Sequence, residues 1–314
     1  MMPPKPEWEH IGRLFTALPW DVREWGDALR EARQEVLAFV RAVAQAGTPV
    51  TLFVRPDDTV DVDGIDTVEL SYGDIWLRDS GPVFADQKAH CFRFNGWGGK
   101  YVMKGDEIVA EAIAQQLDTE AVMHDFVLEG GAIDHDGTGT AITTRQCLLN
   151  PNRNPDMSQA DLEAALADTL GLTRIVWLGN GLQNDHTDGH VDNLARFVAP
   201  GHAVVPFPDG GGDPNAIVYA DAAMALSGAG LQVSHIPSPG RVLNDDGNVV
   251  PASYANFVLT NELVVVPQFG VENDQAAVSA LAELFPGRRA IGLSARAILA
   301  GGGAFHCMTN QVPE

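Results

Sequence analysis

Apolar residues recur at helical spacing from Arg23 to Ala46, where Trp25, Leu29, Val36, Phe39, Val40 and Val43 fall near one face. The same period predicts helices over Asp106 to Leu117, Ser158 to Leu170, Asn215 to Ala229 and Asn273 to Phe285. Ser158 with Asp161 makes a Ser-x-x-Asp start signal, and Pro214 falls where a first helical turn tolerates a missing N–H. A short apolar run follows each helix: Val50 to Val54, Ala121 to Leu128, Arg174 to Leu178, Leu231 to Ile236, and Ala290 to Leu293. Runs of that length between turn signals read as buried strands.

Each run leads into a polar turn and then an alternating or apolar segment. The five turns are WLRDSGP (76–82), LEGGAID (128–134), HTDGHVD (186–192), VVPASYA (249–255, without glycine) and GGGAFHC (301–307), about 50 to 64 residues apart. A strand, turn, hairpin and helix unit of this size cannot bury its own apolar face and must stack on its neighbours. Closing five such units on themselves predicts an α/β fold, a five-bladed β/α propeller of pseudo-fivefold ββαβ repeats. Residues 1–314 would form a single domain, with all five turns aimed at one central point; an ordinary doubly wound α/β sheet is the alternative. The stretch AGGGAFHCMTNQVPE (300–314) carries Phe305, Cys307 and Met308, which a frayed segment has no reason to hold. A ring completed by this last turn accounts for them.

Composition narrows the partners. A formal net charge of −22 argues against nucleic acid or an anionic membrane, since both call for clustered Lys and Arg. Lys5, Lys88, Lys100 and Lys104 are the only lysines, so a catalytic lysine has few candidates. The first residues, MMPPKPEWEH, lack the apolar core of a signal peptide, and no run approaches the roughly 20 apolar residues of a membrane span. A cytosolic protein is expected, with Cys91, Cys147 and Cys307 as reduced thiols. A homo-oligomer is left open.

If the turns converge, they bring together Asp79, Glu129, His190, Asp192 and Cys307, with Trp76, Arg78, His186, Asp188 and His306 nearby in sequence. A thiol of ordinary pKa, about 8.5, is only slightly ionised at neutral pH and needs an imidazolium or a cationic substrate beside it. His190 is the chosen neighbour, on a tight turn after Gly189, with Asp192 expected on the same side of a strand at i+2. His306 adjoins Cys307 and, on a strand, would face away from it in a structural role. Three carboxylates around one thiol disfavour its ionisation and repel anions, but they would hold a planar guanidinium by charge-assisted hydrogen bonds. Cys91 and Cys147 sit in apolar surroundings and read as core residues; Trp76 and Trp97 read as core that could cover a cation's face. A competing metal site would use His186, Asp188, His190 and Asp192, but His-x-x-x-His suits a helical face, and the Asp188-Gly189 pair predicts a turn.

Six segments taken together, WLRDSGPVF, FNGWGG, LEGGAIDHDGTGTAITTRQCLLNPNRNP, NDHTDGHVDNLARFVAPG, PASYANFVLTNELVVVPQFG and GGGAFHCMTNQVP, resemble the agmatine deiminase and bacterial-type peptidylarginine deiminase family. They run in the same order from Trp76 to Pro313. The resemblance implies the five-bladed fold of the guanidine-modifying enzymes. It also implies Cys307 as nucleophile, His190 as general acid/base, Asp79 and Asp192 as guanidinium-binding carboxylates, and Glu129 as a further acid. Trp76 would pack along the substrate, and Trp97, Asp188 and Gly302 complete the expected substrate-binding set. No metal or organic cofactor is implied; the partner is a small cationic guanidino substrate. The implied reaction is hydrolysis of a guanidinium C–N bond through a cysteine thiouronium, with agmatine to N-carbamoylputrescine as leading case. Arginine, an arginyl peptide or another guanidino acid is the alternative, ahead of a metal-dependent hydrolase or a non-catalytic guanidine-binding protein. His186 stands where typical agmatine deiminases carry an acid, Ala304-Phe305 where they carry Asn-Ile, and the segment after WGG is shorter.

Overall fold

The computed structural model describes residues 1–60, 62–208 and 210–314. Four sheets repeat one construction: an antiparallel pair, a helix, and a third strand parallel to the second. β4 (Val83–Ala85) pairs with β5 (Lys88–Arg93), and the helix Val109–Gln116 returns the chain to β6 (Ala121–Val127). β7 (Ile133–His135), β8 (Thr140–Thr144), helix Gln159–Leu170 and β9 (Arg174–Leu178) follow the same path. So do β10 (Arg196–Ala199), β11 (His202–Phe207), helix Ala216–Gly228 and β12 (Gln232–Pro237). The fourth runs through β13 (Val258–Leu259), β14 (Leu263–Gln268), helix Asp274–Leu284 and β15 (Arg289–Ser294).

The fifth sheet splits its hairpin between distant parts of the chain. β16 (Asn310–Pro313) lies antiparallel to β1 (Ile11–Ala17), which leads through helix Leu29–Gln45 to a parallel β2 (Val50–Val54). β3 (Asp66–Glu69) extends the edge and is mostly exposed and acidic, a way to discourage pairing with another chain. Among the described residues the result is a mixed α/β fold of five sheets, and β16, paired with β1, directly follows the last turn.

Local chemistry explains some element limits. Ser158 accepts from Asp161 N while the Asp161 carboxylate accepts from Ser158 N, a reciprocal cap that starts its helix at Gln159. The Leu29–Gln45 helix buries Ala32, Val36, Phe39, Val40 and Val43. Phe39 stacks on Phe305 at 4.9 Å, which ties the last turn to the fifth sheet's helix. Strand β2 is buried along its whole length, as a strand covered on both faces must be.

Three expectations need correcting. The helix expected from Arg23 breaks into Val22–Trp25, a tight turn at Gly26–Ala28, and Leu29–Gln45, because Gly26 leaves helical space at φ 49° while Trp25 turns into the core. His190 and Asp192 do not share a strand face: His190 precedes a single 3₁₀ turn, Val191–Asn193, which contains Asp192. Cys307 and His306 also lie in a turn rather than on a strand, so adjacency does not send their side chains to opposite faces of a sheet.

Candidate active site

A short turn stands at the entrance to the first strand of every hairpin, and hydrogen bonds join the five in sequence. Gly131 N donates to Asp79 Oδ1 at 3.0 Å, Arg78 N to Cys307 O at 3.1 Å, and His306 N to Asn256 Oδ1 at 2.9 Å. Asn256 Nδ2 reaches Asn193 Oδ1 at 3.0 Å and Asp192 Oδ2 at 3.3 Å. The circle is completed where Thr144 Oγ1, at the end of β8 in the hairpin that follows the Gly131 turn, donates to Gly189 O at 2.6 Å.

Cys307, whose carbonyl is one link of this circle, is 4 % exposed. Its Sγ lies 3.6 Å from Asp192 Oδ2 and 3.1 Å from Asn256 Nδ2, which donates to it. Asp79 Oδ2 accepts from the Trp97 indole at 2.9 Å, and its Oδ1 stands 3.6 Å from His190 Nδ1. A side chain at 131 would collide with the site: a Cβ there would stand 2.6 Å from His190 Nδ1, 2.8 Å from Asp79 Oδ1 and 3.2 Å from Asp192 Oδ2. Gly303 is constrained in the same way, its added Cβ meeting Trp76 at 2.7 Å and Cys307 Sγ at 3.1 Å. These glycines keep the space between the reactive groups open.

Burial sets the charges. The Cys307 thiol is pushed well above the usual range, first by burial and then by the carboxylates of Asp192 and Asp79; Asn256 pulls the other way. Burial and then the charge of Asp192 push Asp79 well above the ordinary carboxylate range. Burial takes His190 down to about 3, against the pull of Asp192, so the ring is neutral at physiological pH. Burial would raise Asp192 too, but the hydrogen bond and charge of His306 prevail and hold it below the ordinary value. Both ring nitrogens of His190 and Asp192 Oδ1 are buried without a hydrogen-bond partner in the protein. Such groups are costly unless a ligand or reactant satisfies them.

Asp79, Trp76, Trp97, Gly302 and Cys307 line a cavity of about 220 Å³, with Trp25, Asp74, Tyr101 and His186 also in its wall. Trp76 stacks on Trp25 at 5.9 Å, and both indoles donate to Asp74, at 2.9 and 3.0 Å. His190 and Asp192 are fully buried behind this wall. Glu129 and Asp188 are not in it. The Arg153 guanidinium holds Glu129 at 2.7 Å and Asp188 at 2.6 Å, and Asp188 also takes Lys100 at 2.6 Å. The alternative ligand set His186, Asp188, His190 and Asp192 is spread out, with His186 exposed and the two aspartates engaged elsewhere. Among the described residues, the group close enough to hold a cation is Glu129, Cys147 and His190, with donor atoms within 4.8 Å. Arg153 already brings a positive charge to that group, and Cys147 is held strongly protonated by burial.

Sequence reasoning passed over Asn256 and Arg153. Asn256 lies one residue past VVPASYA, in the 3₁₀ turn Tyr254–Asn256. Its place in the unit, just before a hairpin strand, is the signal that could have found it.

A thiol, an imidazole and paired carboxylates brought together from three of the turns, on a fold of repeated hairpin-and-helix units, point to the class: enzymes of the deiminase fold. The chain belongs to the Porphyromonas-type peptidyl-arginine deiminase family, whose model matches residues 2–313. It is 35% identical to the agmatine deiminase of Stutzerimonas stutzeri, over 98% of this chain and 94% of that one. The agmatine deiminase of Enterococcus faecalis superposes with a TM-score of 0.94 at 29% identity, covering 100% of this chain and 96% of that one. A cysteine-to-serine agmatine deiminase of C. jejuni with substrate bound gives 0.93 at 29% identity, covering 100% and 97%.

Proposed function

We propose that this protein is a cytoplasmic deiminase that hydrolyses the guanidinium C–N bond of a guanidino substrate, with agmatine, converted to N-carbamoylputrescine, as the leading case. The observation that carries the reading is the placement of the Cys307 sulfur: 3.6 Å from Asp192 and in one cavity wall with Asp79, which in turn stands 3.6 Å from His190, an imidazole whose nitrogens have no hydrogen-bond partner in the protein. The five sheets stand as blades of a propeller in one domain, with the site on its axis.

Asp79 and Asp192 clamp the guanidinium, and its positive charge lowers the cost of a thiolate at Cys307. The thiol proton passes to His190 as the sulfur attacks the guanidinium carbon. His190 returns the proton to the leaving nitrogen, and ammonia departs to leave an S-alkyl thiouronium. Water, deprotonated by His190, attacks that carbon; collapse expels the sulfur, which takes back the proton held on His190, while the hydroxyl proton is lost to solvent, where ammonia takes it up, and the product leaves with a neutral ureido group. Asn256 donates to the sulfur and so favours its anionic form. Glu129, held by Arg153, has a carboxylate oxygen within 4.8 Å of a His190 ring nitrogen and adds negative charge beside it. Trp76 and Trp97 wall the aliphatic part of the substrate. The chemistry is complete without a metal or organic cofactor.

A second reading, arginine or another guanidino acid, is favoured by His186, an imidazole rather than a carboxylate in the cavity wall. One panel decides: ammonia release from agmatine, arginine, an arginyl peptide and simple guanidino acids, with Cys307→Ser as control. Turnover of one class, abolished in the serine variant, is expected; near-parent ammonia release by Cys307→Ser removes the nucleophile assignment.

A further inference from the structure

His306 faces away from the cavity and touches two carboxylates. Its Nδ1 is 2.8 Å from Asp192 Oδ2 and its Nε2 is 2.9 Å from Glu7 Oε1. Glu7 belongs to PKPEWEH, ahead of β1 and outside all five turns. It also meets Arg78 Nη1 at 2.9 Å and Arg196 Nη2 at 2.5 Å. A second cavity of about 60 Å³, lined by Glu7, Arg78 and Arg196, shares no lining residue with the Cys307 cavity.

Two roles for Glu7 compete. It could be only the charge partner of two arginines, since a buried cation stripped of its partner is costly. Both arginines, however, have other acceptors: Arg196 Nε lies on Asp134 Oδ2 at 2.5 Å, and Arg78 Nη2 donates to Gln311 Oε1 at 2.5 Å. The far nitrogen of His306 rests on Glu7, and fixing one ring nitrogen fixes the direction of the other. That other nitrogen holds the Asp192 oxygen nearest the Cys307 sulfur. Burial alone would raise the Glu7 carboxyl, but Arg78, His306 and Arg196 hold it well below the usual range, so the anchor stays ionised.

We propose that Glu7 is a positioning residue for the reaction: through His306 it fixes Asp192 beside the nucleophile. The kinetic part of this rests on the deiminase reading. The link reaches the site from a segment 299 residues away in sequence from His306.

The test uses the full chain and four variants: Glu7→Gln, Glu7→Asp, His306→Gln, and the Glu7→Gln/His306→Gln double variant. Glu7→Asp keeps a charge for both arginines but is one methylene short of His306, so it also serves if Glu7→Gln fails to fold. In both Glu7 variants kcat should fall about tenfold or more, with KM moving less than about threefold. The double variant should be no slower than His306→Gln, because residues acting along one path are not additive. Alkylation of Cys307 by iodoacetamide should slow about threefold or more, since Asp192 released from His306 puts less compensated charge beside the thiol. Parent-like kcat and alkylation in Glu7→Asp, or losses that add in the double variant, overturn the proposal. A parent chain that releases ammonia from no guanidino compound sinks the deiminase reading instead, and the alkylation rates then decide the Glu7 link alone.

Discussion

At the scale of single residues, Asp192 pulls the site in two directions. Its charge is the second cause, after burial, that keeps the Cys307 thiol protonated, yet the same charge is needed to seat a cation. Removing it should therefore separate reactivity from catalysis. In Asp192→Asn, iodoacetamide should alkylate Cys307 about fivefold faster at pH 7, while ammonia release falls about a hundredfold or more. Alkylation no faster than in the parent would assign the elevated thiol to burial and Asp79 alone. That Asp79, His190, Asp192 and Cys307 lie close together was legible because each is a reactive side chain in or beside a repeated turn. The meaning of Asn256, Arg153 and Glu7 comes from contacts across the fold, such as Asn256 to Cys307 and Glu7 to His306, that no local pattern encodes. The strand geometry assumed for His190 and Asp192 was wrong for a related reason: a turn ordered by its neighbours has no period to read.

At the scale of elements, long helices announce themselves and short strands do not. The predicted helices from Ser158 and Asn273 match Gln159–Leu170 and Asp274–Leu284 to within a residue at each end. By contrast β4, β7 and β13 run three, three and two residues, too few for any alternation to show. The tight turn Asp106–Ile108 ahead of the Val109–Gln116 helix carries a cost of its own. Asp106 Oδ1 accepts from the backbone of Gly73 and Asp74, its Oδ2 has no partner, and burial pushes the carboxyl up to about 7. An acid whose folded pKa is raised contributes its stability below the unfolded value, near 3.9, and loses it as pH rises through the folded one. Asp106→Asn, which keeps the accepting oxygen and carries no charge, should stabilise the protein by about 1 to 2 kcal/mol at pH 8 and by little at pH 4. Thermal melts at the two pH values check the sign; a gain that is the same at both would exclude titration of Asp106 as its cause.

At the scale of the whole molecule, the proposed ring depends on one junction between distant segments. β16 pairs with β1 from Phe15↔Asn310 to Ile11↔Pro313, and it directly follows the turn that carries the nucleophile. Asn310 Nδ2 donates to Leu77 O at 3.2 Å and Pro82 O at 3.0 Å, on either side of the Asp79 turn, and Gln311 Nε2 donates to Leu259 O at 2.8 Å. One strand thus joins the fifth sheet to the turn ahead of the first and to the fourth, around Cys307. In a ring, opening one junction also frees the groups aimed at the axis, so the loss should reach the site before the sheets. Removing residues 310–314 should abolish ammonia release and lower the melting temperature by about 5 °C or more, while far-ultraviolet circular dichroism keeps most of its helical signal. A truncated chain with parent kcat and an unchanged melt would mean that the Phe305–Met308 turn is held by Phe39 and Asn256 without the strand, and that the junction does not order the active site.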